Sequence, residues 1–273
     1  MRRTVFSYPY IVWMVIFILS PVILIGYYAF TSNGTFTLSS VANAVSDPIY
    51  LQVLVRSIWI ALKATFYCLL LGYPVAYLLS TMKKSRAAIL SVLFIVPMWM
   101  NFLLRTYAWQ IILASNGVIN TLLSWLGLPA QQLLYTESAV MLGTVYNFLP
   151  FMILPIYTVL LKIDKSHIEA ANDLGANGLI TFFKVVLPLS VPGIISGITM
   201  VFIPAITTFA ISRLLGGGMF MLYGDLIESQ FITVGDWSTG SALSFILLVL
   251  VIISMAIMRR AERDAGQEGG KLW

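Results

Sequence analysis

The chain has 273 residues, 59% of them hydrophobic and 10% charged, with a mean hydropathy of +0.92. A soluble domain carries about 25% charged residues, so composition excludes an ordinary soluble globular class. The formal net charge of +5 does not indicate a nucleic-acid partner, because Lys and Arg sit in short loops between apolar runs; the single cysteine, Cys68, excludes an internal disulfide, and no Cys/His metal spacing exists.

The predicted elements begin with an apolar run over about 10–30, preceded by Arg2 and Arg3. It is too long for a signal-peptide h-region and no small-x-small cleavage site follows, so it is read as a retained span. A bilayer crossing takes about 20 apolar residues as a helix, and helices satisfy every backbone polar group in lipid. On that measure further spans lie near 57–80, 87–113, 139–161, 187–211 and 241–258. The expected fold is an all-α membrane protein, a single transmembrane domain over 1–273 with six transmembrane helices. Between the third and fourth spans, Asn116 to Leu126 reads as a short helix lying at the membrane surface. The fourth span holds Pro150 and Pro155; the fifth holds Pro188, Pro192, Gly193, Gly197 and Pro204. Such spans are built to bend, and bent helices line transport pathways, although Gly and Pro are frequent in membrane helices generally. The fifth span is the stronger pore-lining candidate.

Orientation follows from the positive charges. With the N-terminus inside, the inner segments hold 12 of the 16 Lys and Arg, all but Arg56, Lys63, Arg105 and Arg213. The outer segments hold Asp47, Glu137, Asp225, Glu228 and Asp236. Both termini and the loop at 162–186 are therefore expected to be cytoplasmic.

That loop carries its own local logic. Ser166-His167-Ile168-Glu169 has the S-x-x-E form of a capping box, and a helix is expected from there to about Leu174, closed by Gly175 in the left-handed conformation. Ile168, Ala171 and Leu174 share one face, while Ala170 and Ala171 keep the helix slim. A short apolar-faced helix held between spans suits a groove on a partner; the plainer alternative is a capped helix packed on its own chain.

Glu169-Ala170-Ala171 is followed by three residues, Gly175, nine residues, and then Val185-Val186-Leu187-Pro188. This spacing resembles the cytoplasmic signature loop of ABC importer membrane subunits, with Val185 where that family has isoleucine. Leu71-Gly72-Tyr73-Pro74, the run from Val96 to Trp109, the run from Tyr146 to Tyr157, Leu215-Gly216-Gly217, Gln230-Phe231 and Asp236-Trp237 extend the likeness over nearly the whole chain. They are similar to the permease subunits of bacterial spermidine/putrescine ABC importers.

The resemblance implies a type I importer permease with a cytoplasmic coupling helix between spans four and five, its coupling residues being Glu169, Ala170, Ala171 and Gly175. It implies a bacterial inner-membrane location and several partners: an ATPase homodimer, a second homologous permease and an extracytoplasmic polyamine-binding protein. No cofactor is expected in this chain, and it is not an enzyme by itself; ATP and Mg belong to the ATPase. No G-x-x-x-x-G-K-[ST] phosphate loop is present, and Gly216-Gly217-Gly218 has no lysine after it. An ion-coupled secondary transporter is the alternative mechanism, usually with more spans and an internal repeat. Within the importer class, an amino acid derivative or an anion is the alternative cargo.

Charges and rings in the spans remain. Arg105 and Lys63 are read as reaching the interface by snorkelling, and His167 as a helix-start residue. Trp99, Tyr107, Trp109, Tyr146 and Trp237 offer ring faces to ammonium groups or form the aromatic belt. A polycation path also needs acids, and Asp236, Glu228 and Asp225 share an outer segment with Tyr223, Phe231 and Trp237. Trp237, Trp99 and Tyr146 join those three acids as the candidate substrate pathway.

Overall fold

The computed structural model describes residues 8–32 and 34–271; Arg2 and Arg3 of the charge count lie outside the described residues. α1 (Tyr8–Met14) passes through a π-helical turn at Val15–Leu19 into α2 (Ser20–Ala29), making one apolar rod. A small hairpin follows, β1 (Thr31–Ser32) antiparallel to β2 (Thr35–Phe36), with Thr31 opposite Phe36. α3 (Ser39–Ser46) and α4 (Pro48–Thr81) meet at Asp47, whose carboxylate accepts the Ile49 N–H at 2.7 Å. Pro48 then fills the first turn, where a missing N–H is harmless. α4 has 34 residues, about 51 Å of helix against a hydrocarbon core of about 30 Å.

The apolar stretch 87–113 is not one straight span. α5 (Lys84–Trp99) ends two residues after Pro97, and the chain restarts as α6 (Phe102–Leu113); across this break the helices bend by 92°. Asn101 causes the restart: its side-chain oxygen accepts Leu103 N–H at 2.8 Å and Leu104 N–H at 3.4 Å, capping the new helix. α7 (Val118–Trp125) occupies the short apolar stretch, held by Asn120, which bonds Ala114 O, Gln131 O and Gln131 N.

α8 (Glu137–Leu160) is capped by Thr136. α9 (Lys165–Asp173) and α10 (Gly178–Thr181) follow, and a π-helical turn at Phe182–Val186 leads into α11 (Leu187–Thr207). α8 runs unbroken through Pro150 and Pro155, and α11 through Pro192 and Pro204. The break in the fifth span comes instead at Thr208, in extended backbone, before α12 (Ala210–Gly216). α13 (Tyr223–Ser229), a π-helical turn at Gln230–Val234 and α14 (Trp237–Lys271) complete the chain.

Among the described residues, five helices are long and apolar enough to cross a membrane, six if the bent pair serves as one span. α8 is the centre, with 56% of its apolar window buried, whereas none of the window over Pro9–Ala29 is. α8 packs between α4 and α11, and α4 also meets α11. The contacts rest on small residues. A Cβ built on Gly193 would lie 3.0 Å from Val159 Cβ and 3.1 Å from Ile156 Cα; one on Gly197 would lie 2.7 Å from Met152 Sδ. Gly193 and Gly197 are one turn apart, so they form a notch into which α8 seats, as in small-x-x-x-small membrane contacts. The glycines expected to bend span five therefore work chiefly as contact surface. The Tyr73 and Ser190 hydroxyls are 2.9 Å apart and buried, closing the α4–α11 side.

Candidate functional site

The loop between α8 and α11 begins at Asp164, which caps α9 by accepting the Ser166 N–H at 3.0 Å. The capping box expected at Ser166 and Glu169 is thus replaced by a cap two residues earlier. Asp164 has the extended backbone a cap requires, and Ser166 is already helical. The Ser166 N–H bond is the main cause holding the Asp164 carboxyl below its ordinary range. The far end is as expected: Gly175 has φ +80°. The Gly175 N–H donates to Asn172 O at 2.9 Å and the Ala176 N–H to Ala171 O at 3.0 Å, the paired bonds of a Schellman stop.

No α9 residue is buried. Its expected apolar face divides. Ile168 and Glu169 line a cavity of about 510 Å³ with Tyr77, Thr81, Leu160 and Val186. Ala170, Ala171 and Leu174 line a second hollow of about 260 Å³ with Lys184, Val185 and Pro188. Leu174 is 89% exposed, as are Leu179 at 72% and Phe183 at 61%. A membrane bundle thus presents a capped, rigid helix and an uncovered apolar patch beside it, the combination a groove on another protein can take.

The second candidate region is the segment between α11 and α14. Asp225 accepts the Leu222 N–H at 2.9 Å and so closes the start of α13; burial pushes its carboxyl above the ordinary range, and that N–H opposes the rise. Asp236 accepts the Thr239 N–H at 3.0 Å and starts α14. Both carboxylates therefore serve helix ends. Glu228 instead pairs with Arg213 of α12. The aromatic residues divide between regions. Trp237 contacts Phe231 and Tyr28, and with Tyr27 and Tyr28 it lines a cavity of about 340 Å³. Tyr146 lies edge-on to Trp109, 5.3 Å between centroids, while Trp99 is 82% exposed at the end of α5. The structure therefore sets Trp237 with Tyr28 and Phe231, and Tyr146 with Trp109 of α6.

One charge differs from expectation. Arg105 is only 9% exposed, and its Nε has no partner among the described residues, so it is buried rather than reaching an interface. Lys63 pairs with Glu137 at 2.8 Å and lies 5.5 Å from the Trp59 ring centre. Sequence reasoning missed Arg213 as a partner of Glu228, since nothing local relates positions 15 apart. Tyr27 and Tyr28 were also missed, though a tyrosine pair closing an apolar span was a readable signal.

Tyr223 anchors this region to α4. Its N–H donates to Ser57 Oγ at 2.7 Å. Gly224 presses on the broken end of α11, where a Cβ would stand 2.7 Å from Thr207 O.

Residues 69–267 match the family described as binding-protein-dependent transport system inner membrane component. The chain is 38% identical over 260 residues to the spermidine/putrescine transport system permease protein PotB of Salmonella typhimurium strain LT2, covering 92% of this chain and 90% of that protein. It is equally identical to PotB of Escherichia coli K12, covering 94% of that protein. The inner membrane ABC transporter permease protein YdcU of Escherichia coli K12 is 29% identical over 86% of this chain and 80% of its own. Among solved structures, a bacterial ABC transporter involved in import of the acidic polysaccharide alginate superposes with a TM-score of 0.80 at 15% identity, covering 97% of this chain and 94% of that one.

Proposed function

We infer the function from one premise: this chain belongs to the binding-protein-dependent transport system inner membrane components. It is the permease subunit of a spermidine/putrescine ABC importer, a multi-pass protein of the inner membrane. The observation that carries this is 38% identity across 92% of the chain to permeases of that transport system. An amino acid derivative or an anion is not favoured as cargo, nor is ion-coupled transport.

Within that role, α9 is the coupling helix. A homodimeric ATPase docks on it, and Glu169, Ala170, Ala171 and Gly175 form the contact; the exposed Leu174 and its apolar neighbours support this. ATP and Mg are held by that partner, and this chain performs no chemistry of its own. A second, homologous permease completes the pore, and a polyamine-binding protein delivers cargo to the outer mouth. Asp236, Glu228, Asp225, Trp237, Trp99 and Tyr146 are the proposed substrate path. Both termini and the α9 loop face the cytoplasm, supported by the distribution of Lys and Arg.

The complete complex in proteoliposomes should show ATP-dependent spermidine uptake that disappears without the ATPase. Uptake of only anions or amino acid derivatives would replace the cargo assignment; uptake driven by an ion gradient alone would replace the mechanism. Orientation is checked separately, with Asp47→Cys, Glu169→Cys and Asp236→Cys made singly in a Cys68→Ala background. On intact cells a membrane-impermeant thiol reagent should label positions 47 and 236 and leave 169 untouched. The opposite pattern reverses the orientation.

A further inference from the structure

We propose that Arg213 is a built-in competitor of the cargo: its guanidinium occupies the Glu228 carboxylate until a polyammonium chain displaces it. This rests on the polyamine reading above. Of the three acids between α11 and α14, Glu228 alone is not committed to a helix end, because Asp225 and Asp236 accept backbone N–H groups. Its one hydrogen-bond partner among the described residues is Arg213. Glu228 is the sheltered member, with 19% of its side chain exposed against 58% for Arg213. The carboxylate is thus fixed within the fold, and the cation reaches it from outside.

Glu228 also lines a cavity of about 420 Å³ between α2, α11, α13 and α14. Its walls are methylene and methyl groups, among them Val22, Ile25, Leu247 and Val251, and its other polar side chains are the hydroxyls of Thr207 and Ser244. An alkyl chain bearing ammonium groups needs these three things: an anion, apolar walls and further oxygen acceptors. A sheltered carboxylate left without a cation is strongly unfavourable. Exchanging one cation for another avoids that state at every stage.

The exchange also sets a threshold of affinity. A tethered cation competes at an effective concentration of about a millimolar or more. A monoamine must beat the guanidinium with one charge. A polyamine places a second ammonium on neighbouring oxygens and gains the difference. The two partners stand on separately anchored pieces. α12 is held against α8, and Tyr135, just before α8, donates its N–H to Leu215 O at 2.9 Å; α13 is held to α4 through Tyr223 and Ser57. Gly217 and Gly218 join them in left-handed conformations, φ +58° and +78°. Displacing Arg213 therefore loosens one tie between α12 and α13 as cargo enters, the Ser212–Asp225 hydrogen bond being another.

The test uses the complete importer in nanodiscs, without binding protein so that its selectivity does not enter. Affinities for spermidine and n-butylamine are measured for wild type, Arg213→Gln, Arg213→Lys and Glu228→Gln, each confirmed to co-purify with the ATPase. Arg213→Gln should bind both amines at least threefold more tightly. Arg213→Lys should stay close to wild type. Glu228→Gln should weaken spermidine at least tenfold. If Arg213→Gln weakens spermidine as Glu228→Gln does, or leaves both affinities unchanged, the pair is a structural clamp and the proposal fails. Absence of ATP-driven spermidine uptake in the wild type would overturn the polyamine reading and this inference with it.

Discussion

Gly175→Val should lower spermidine uptake at least tenfold while leaving the subunit inserted in the membrane. Gly175 sits at φ +80°, and a Cβ there would meet nothing within 4 Å. The substitution is therefore a backbone test free of any packing clash. A β-branched residue in the left-handed region costs about 2 kcal/mol or more, about thirtyfold in the population of the closed helix end. That end is fixed by only two bonds, from Gly175 and Ala176 to Asn172 and Ala171, so the strain opens the Schellman stop and redirects the chain beyond α9. Because the bundle core lies elsewhere, the defect should be in transmission: ATP hydrolysis persists or loosens while transport falls. Gly175→Asn should recover most of the uptake, since asparagine tolerates this conformation. Normal uptake by Gly175→Val would remove α9 from the coupling step.

The second large effect is expected at the helix contact. Gly193→Leu should abolish recovery of folded subunit, or lower its detergent melting temperature by many degrees. A Cβ at Gly193 already stands 3.0 Å from Val159 Cβ and 3.1 Å from the Ile156 backbone, and backbone cannot step aside as a side-chain tip can. Overpacking by whole side chains costs about 1–3 kcal/mol even where neighbours adjust; here the two central helices must separate. Gly197→Ala should be milder, because its nearest obstacle is the Met152 thioether, a flexible group. Size-exclusion recovery and thermal unfolding followed by fluorescence measure both. A monodisperse Gly193→Leu protein with unchanged melting would mean the notch is not a packing element.

Residues with a local cause were readable in the sequence. Gly175 was, because the end of a short helix demands positive φ and glycine supplies it. The long apolar spans were, because lipid leaves the backbone few alternatives. Asp164 was misjudged because two capping residues stand two positions apart and only the backbone angles decide between them. The break after Trp99 was missed because hydropathy runs straight across Met100 and Asn101; the signal was chemical, an asparagine able to cap following a proline. Arg213 and Glu228 were out of reach for a different reason. Their pairing is made by the turn back between α12 and α13, and no periodicity records a reversal. The roles of Gly193 and Gly197 needed the neighbour: in sequence they read as flexibility, and in the folded bundle they are the places where two backbones approach.

α4 runs unbroken for 34 residues. One end, at Thr81, borders the cavity shared with Glu169; near the other, Ser57 holds Tyr223 and the segment carrying Glu228. A rod about 51 Å long is a lever. Tilted by about 5° about its Thr81 end, it carries Ser57, about 36 Å away, through about 3 Å, the length of a hydrogen bond. A push too small to reshape α9 is thereby geared into a displacement large enough to part an ion pair at the opposite face.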